Sequence, residues 1–303
     1  MEKNIKKTKH ISFNDIQTQY TKAKRHIGIC LSKNYKCYVV KGQNAFNLIT
    51  HYSRTKDSST VEAKYIALQS KTKIIGEVLY FKATNNTYLL FTTSDQVYKA
   101  LHKITKIYPL TVINDATKDY SLFTFHGKNA NKFFDNFSAK CLFKLSHQGY
   151  KYYHMIAPKK DEVRTLNYYL EQDFVPISIE TKRIFLYNNK VITNFDNFSF
   201  THKKELLQIK YPDNVSLPNY SLELFECLDN ALIEKNTKIL NYNRHNCGLV
   251  YNSFKLPNKK FPFVLGIVNK TNTNVLLIKK DGKEILIRKI YKNYEALWHF
   301  NYN

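Results

Sequence analysis

Two short stretches set a glycine and an asparagine between a strand pattern and a helix pattern. They are Gly42-Gln43-Asn44-Ala45 after KCYVVK, and Gly127-Lys128-Asn129-Ala130 after SLFTFH. A glycine turn at a helix start can cradle phosphate with backbone N–H groups, but that chemistry needs a G-x-x-x-x-G-K-[ST] spacing, and each turn here has one glycine. The expected role is structural: a tight strand-to-helix turn that needs positive φ and close backbone approach. His245-Asn246-Cys247 offers two metal ligands at close spacing. A tetrahedral site needs four, and the neighbouring sequence supplies no others, so no metal is expected. The five cysteines, Cys30, Cys37, Cys141, Cys227 and Cys247, are odd in number and scattered, which excludes a disulfide framework and reads as free thiols.

Charge is the strongest compositional signal. The chain has 47 Lys and Arg against 24 Asp and Glu, a net +23. Such a field attracts nucleic acid, an acidic carrier protein or a polyanionic small molecule. The lysines are dispersed and arginines are few, so nucleic-acid binding is possible but not favoured as the main function. Local clusters that would focus the charge are Lys71 with Lys73, and Lys159 with Lys160 and Arg164. With 43% hydrophobic and 15% aromatic residues, the 303-residue chain can bury substantial cores. No apolar run approaches membrane-spanning length and the first fifteen residues are polar, so no membrane segment and a cytoplasmic location are expected.

The elements that must position these residues follow from periodicity. FNDIQTQYTKAK reads as a capped helix, and Ile27 to Ile49 as strands leading into the first glycine turn and its helix. YIALQSKTKIIGEVLYFKATNNTYLLFTT reads as three strands turning at Asn85-Asn86. Alternation along IIGEVLY sets Ile75, Glu77 and Leu79 on one face, and Gly76, Val78 and Tyr80 on the other. SDQVYKALHKITKI is an amphipathic helix with a stripe of Val97, Leu101, Ile104 and Ile107. The second glycine turn repeats the device, followed by helices at DEVRTLNYYLEQDF and SIETKRIFLYNNK. Residues 191–217 show no clear element, and the chain closes in alternating strands with a hairpin at Asp281-Gly282.

This order resembles the aminomethyltransferase family, the T-protein of the glycine-cleavage system and its folate-binding relatives. Residues 12–137 carry most of the likeness. Gln43-Asn44-Ala45-Phe46 stands at the family's G-x-D-A-x-x-F-L segment, and Tyr65 to Ser70 at its Y-S-x-M-L-N strand. Lys73 to Phe81 stands at its G-G-x-x-D-D-L-x-V-x strand, and His126 to Ala130 at its Q-G-P-x-A turn. Ser146 to Tyr150 keeps the Gly-Tyr of T-G-E-x-G-Y-E without the acids. An iron–sulfur maturation branch carries K-G-C-Y-x-G-Q-E, which the surroundings of Cys227 lack.

The resemblance implies an α+β chain: two pseudo-repeated mixed α/β halves, about 12–110 and 111–256, around a central cavity. A basic tail, 1–11, precedes them and a small antiparallel β domain, 257–303, follows. It also implies tetrahydrofolate as cofactor, with Glu77 as the catalytic acid where the family has aspartate. Tyr65, Tyr150 and Tyr187 are candidate aromatic walls for the pterin and its stem. The family's pterin-gripping glutamate falls on Asn188 without a gap counted from Pro176, or on Glu180 with a shifted alignment. The implied activity is transfer of a methyl or aminomethyl-derived unit between a small-molecule donor and folate. The alternative is a non-catalytic binding protein that uses its basic surface to hold an acidic partner.

Overall fold

Asp15 opens the first helix as its cap, accepting from the Thr18 amide at 3.0 Å, and α1 (Ile16–Arg25) ends in Lys22, Lys24 and Arg25, where the helix dipole favours cations. The computed structural model describes residues 15–53, 62–70, 74–135, 141–147, 150–191, 220–256, 259–269 and 273–290. The chain divides into two compact units, residues 1–185 and 186–303.

After α1 come β1 (Ile27–Leu31), β2 (Lys36–Gly42), α2 (Ala45–Thr50), β3 (Ala63–Gln69), β4 (Ile74–Thr84), β5 (Thr87–Thr92), α3 (Asp95–Ile104) and β6 (Thr111–Asp115). These strands, apart from β1, form a sheet in the order β3-β4-β5-β2-β6. Next are β7 (Tyr120–His126), α4 (Asn129–Phe134), β8 (Leu142–His147), β9 (Tyr150–Pro158), α5 (Glu162–Glu171), β10 (Phe174–Pro176) and α6 (Ile179–Asn188). The second sheet has the order β10-β1-β7-β9-β8. Within each sheet the glycine-turn strand is followed by a helix, paired strands, a helix and a last strand, and β6-β2-β5-β4 corresponds to β10-β7-β9-β8 with β1 inserted.

That insertion corrects the expected division at residue 110. β1, from the start of the chain, pairs with β7 antiparallel and with β10 parallel, while β6, beyond residue 110, pairs with β2. Ile27 and Ile29 explain the preference, because they complete the same apolar core as Phe123, Phe125 and Phe174. Strand order is a tertiary property that neighbouring sequence does not specify.

Three cores layer the first unit. α2 and α3 cover one face of the first sheet through Leu48, Ile49, Val97, Leu101 and Ile104. Helices α4 and α5 cover one face of the second through Ala130, Phe134 and Tyr169. The two remaining faces pack on each other: Val39, Leu79, Phe81 and Phe91 of the first sheet meet Leu122, Phe143, Leu145 and Ile156 of the second. Ile107 departs from the expected stripe and is 61% exposed. The α-helix ends at Ile104 and a 3-10 turn spans Thr105–Ile107, which shifts the angular period. Ile75 also departs, packing on the helix side with Val78 and Tyr80. A register shift between Leu68 and Gln69 opposite the start of β4 breaks the alternation before Glu77.

In the second unit, β11 (Tyr220–Cys227), β12 (Lys238–Leu240), β13 (Asn246–Phe254), β14 (Phe263–Asn269), β15 (Val275–Lys280) and β16 (Lys283–Lys289) close into a barrel, in the order β11-β14-β13-β12-β15-β16. The β domain expected from residue 257 therefore begins earlier, because β14 needs β11 and β13 on its two edges. Asp281 and Gly282 both have positive φ, 50° and 78°, and join β15 to β16 by the two-residue hairpin read from the sequence. The loop-like passage 191–217 lies outside the described residues except for Val191, and the basic tail 1–11 lies wholly outside them. No helix among the described residues is long and apolar enough to cross a membrane.

Candidate functional site

The layer between the two sheets changes character along its length. Stepping by two residues along β7, the inward side chains run Leu122, Thr124, His126; along β9 they run Ile156, His154, Tyr152, Tyr150. The registers set Thr124 opposite both His154 and Cys30. Tyr65 comes from β3 and Glu77 from β4. Ser32 and Tyr35 lie between β1 and β2, and Lys182 projects from α6. An apolar sheet contact thus gives way to a polar, aromatic cluster.

Hydrogen bonds connect its members. Lys182 Nζ donates to Ser32 Oγ at 3.1 Å and to Thr124 Oγ1 at 3.2 Å, and the two hydroxyls are 3.0 Å apart. The same ammonium lies 5.7 Å from the Tyr35 ring centroid. The Tyr35 hydroxyl bonds that of Tyr65, which lies 3.4 Å from His154 Nε2. The Gly127 amide donates to the Tyr150 oxygen, and the Tyr150 hydroxyl is hydrogen-bonded to His126 Nδ1 at 3.0 Å. The His126 ring stacks on Tyr152 at 5.7 Å and on Phe185 at 5.9 Å.

Burial dominates the electrostatics. It pushes the Tyr35 phenol up to about 12, with the Glu77 charge adding to the effect and the Tyr65 hydroxyl opposing it. Tyr65 and Tyr152 also rise through burial, and both feel Glu77. These phenols therefore stay protonated. Burial lowers the Lys182 ammonium, with Cys30 opposing and Arg183 reinforcing.

Burial and the nearby Lys182 charge also hold His126 and His154 far below the usual imidazole range. Both rings are completely buried, and among the described residues His126 Nε2 and His154 Nδ1 have no hydrogen-bond partner. The unfolded chain binds protons at these two sites below about pH 6.5 and the folded chain does not, so stability is present above that pH and is lost as pH falls below it. Two protons give a slope approaching about 2.7 kcal/mol per pH unit. Urea unfolding across this range should show the loss, and His126→Gln with His154→Gln should flatten it; an unchanged slope in the double variant would place the titration elsewhere.

Accessibility marks an opening in this layer. Glu77, Tyr35, Tyr65, Tyr150 and Lys182 are each only partly buried, whereas Leu79 and Phe81, next on the Glu77 face, and Thr124 and His154 are completely buried. The opening presents a carboxylate, protonated phenols, aromatic faces and an ammonium, which suits a flat polar molecule.

No family sequence model matches the chain. No curated protein matches it in sequence. Among solved structures, the glycine cleavage system aminomethyltransferase T from Bartonella henselae superposes with a TM-score of 0.71, covering 92% of this chain and 89% of that one at 12% identity. The chain has the aminomethyltransferase T fold. A heterotetrameric sarcosine oxidase from Corynebacterium sp. U-96 aligns at a TM-score of 0.34 and 8% identity, covering 48% of this chain and 82% of that chain; this lies below the level of a shared fold.

On this aminomethyltransferase T-like scaffold, three of the residues singled out from sequence fall in the polar cluster: Glu77 and Tyr65 near Tyr35, and Tyr150 beside His126. Glu180 is exposed in the first turn of α6. Asn188 ends the same helix, roughly 12 Å along its axis, and belongs to the second unit. Tyr187, also in that unit, is buried against Tyr251 and Phe254. Cys247 is a barrel-core thiol donating to the Ile239 carbonyl at 3.3 Å, and His245 is exposed. Among the described residues, no group of three His, Cys, Asp or Glu is placed to hold a metal. Lys71 and Lys73 lie outside the described residues; Lys160 and Arg164 are exposed, and Lys159 pairs with Glu162 at 2.5 Å.

Sequence reading missed Tyr35, Tyr152, His154 and Lys182. For two of them a signal was present: Tyr150, Tyr152 and His154 alternate with Lys151 and Tyr153, so the first half of one face of β9 carries three ring side chains with polar atoms. Lys182 carried none, because its partners Ser32 and Thr124 are distant in sequence.

Proposed function

We propose that the chain is a divergent tetrahydrofolate-dependent one-carbon transferase, carrying a methyl or aminomethyl-derived unit, with Glu77 as its proton-handling group. The carrying observation is that Glu77 stays partly accessible on the inter-sheet face among protonated phenols, while the next residues on that face are sealed. The shared strand order of the two sheets supports two repeated halves around a central cavity, with this opening as its entrance.

The residues suit a folate. Tyr35 offers a hydroxyl donor, the rings of Tyr65, Tyr150 and Tyr152 offer walls for a flat heterocycle, and the Glu77 carboxylate would accept from a protonated nitrogen. Bound tetrahydrofolate would supply the nitrogens that take up the one-carbon unit. Glu77 would then hold or move a proton at its carboxylate, and Tyr35 and Tyr65 would fix the orientation of the ring.

Calorimetric titration with tetrahydrofolate and its methyl and methylene forms tests the reading. Saturable binding that weakens in Tyr65→Ala is expected. Absence of binding at millimolar ligand would favour a non-catalytic protein holding an acidic carrier protein or a nucleic acid, the reading that the net charge of +23 favours.

A further inference from the structure

Lys182 is a cation with two neutral hydroxyls for partners. Its ammonium donates to Ser32 and Thr124, and no ion pair among the described residues includes it. A desolvated ammonium is costly unless an anion meets it. The nearest candidates within the chain do not serve. Cys30 is buried, and that burial keeps its thiol protonated. Glu180 is exposed and two residues earlier on the same helix, a spacing that points the side chains apart. Glu77 is not among the charges that bear on Lys182; its charge falls on the phenols of Tyr35, Tyr65 and Tyr152.

The donors left over converge on the same region. Two of the three ammonium hydrogens are used by the hydroxyls, leaving one. The Ser32–Thr124 bond uses one hydroxyl hydrogen, leaving the other. His126 Nε2, on a completely buried ring that feels the Lys182 charge, has no hydrogen-bond partner among the described residues. A group with several acceptor oxygens and a negative charge answers all of these needs.

We propose that Lys182, Ser32 and Thr124 form an oxyanion-binding site, which takes the carboxylate or phosphate group of the molecule that enters the inter-sheet opening. Tyr35 joins this site to Glu77: its ring lies beside the ammonium and its hydroxyl bonds Tyr65. The molecule would therefore carry its anionic end at Lys182 and its reacting end toward the carboxylate.

Two probes distinguish the sources of the oxyanion. The full chain, in chloride-free buffer, is titrated calorimetrically with acetate in one arm and inorganic phosphate in the other. Saturable binding of at least one anion is expected, weakened about tenfold or more in Lys182→Met and Thr124→Val and largely kept in Lys182→Arg. Equal affinity in wild type and Lys182→Met, or no saturable binding of either anion by the wild type, would overturn the site. If Lys182→Met fails to fold, the side-chain nitrogen resonance of Lys182 in the wild type decides: movement during titration supports the site, and a static resonance overturns it. An aldehyde that becomes fixed to Lys182 on borohydride reduction, with no anion binding, would make the amine a nucleophile and also overturn it. No folate is present in either arm, so failure here leaves the reading of Glu77 to its own test.

Discussion

Gly42→Ala is expected to disrupt the first sheet, at a cost of more than about 4 kcal/mol, from left-handed backbone and an unyielding clash together. Gly42 has φ of 131°, and an added Cβ would meet the Leu110 carbonyl oxygen at 1.9 Å and the Thr111 Cα at 2.8 Å. Both obstacles are backbone, held by the pairing of Gly42 with Thr111, so no rotamer change relieves them. Gly127→Ala meets the Ala23 and His26 carbonyl oxygens at 2.6 and 2.9 Å with φ of 120°, and the second sheet should lose nearly as much. Gly282 provides the control. Its φ is 78° but an added Cβ meets nothing within 4 Å, so Gly282→Ala should cost only about 1 kcal/mol, the conformational part. Because the two units need not unfold together, the measurement is amide exchange, read separately for β2–β6 and for the barrel strands. Equal protection of β2 and β6 in wild type and Gly42→Ala would show that the turn tolerates a side chain.

The two glycine turns were legible because a local steric requirement fixes them. A strand pattern, one glycine and a helix pattern demand a tight turn wherever they occur, and in both cases the obstacle to a side chain is a backbone carbonyl. The Asp281-Gly282 hairpin was legible for the same local reason. What escaped was the consequence of distant pairing. β1 looks like any apolar strand, and only its pairing with β7 and β10 puts Cys30 on the inter-sheet face, where Lys182 feels it. Barrel strands β11 to β13 were not read from the sequence at all, because only closure of the barrel gives each its two neighbours. Glu77 was found through a motif likeness; Tyr152 and His154, its neighbours in the cluster, occupy a strand whose alternation also describes an ordinary core. Lys182 sits on a helix where a lysine is expected to face water, and its burial depends on Ser32 and Thr124 arriving from the second sheet side.

Glu77→Gln is expected to reduce folate-linked turnover by a factor on the order of 10²–10⁴, the range for losing a positioned acid–base group, with a stability change under about 1 kcal/mol. The small stability effect follows from the surroundings. Glu77 is only partly buried, its carbonyl accepts from Thr92 Oγ1 at 2.8 Å through backbone geometry that an amide side chain leaves intact, and glutamine has the same shape. A second readout needs no substrate. The Glu77 charge helps to raise the Tyr35, Tyr65 and Tyr152 phenols; removing it lets a phenolate form more easily, so Tyr35 should ionise below its value of about 12. Alkaline titration followed by tyrosinate absorbance would register that shift at pH values where the fold survives. The two readouts separate location from chemistry. A shifted phenol titration with undiminished turnover would keep Glu77 beside the tyrosines and remove it from the reaction. An unshifted titration would contradict the placement of its charge in the inter-sheet layer, where the proton-handling role begins.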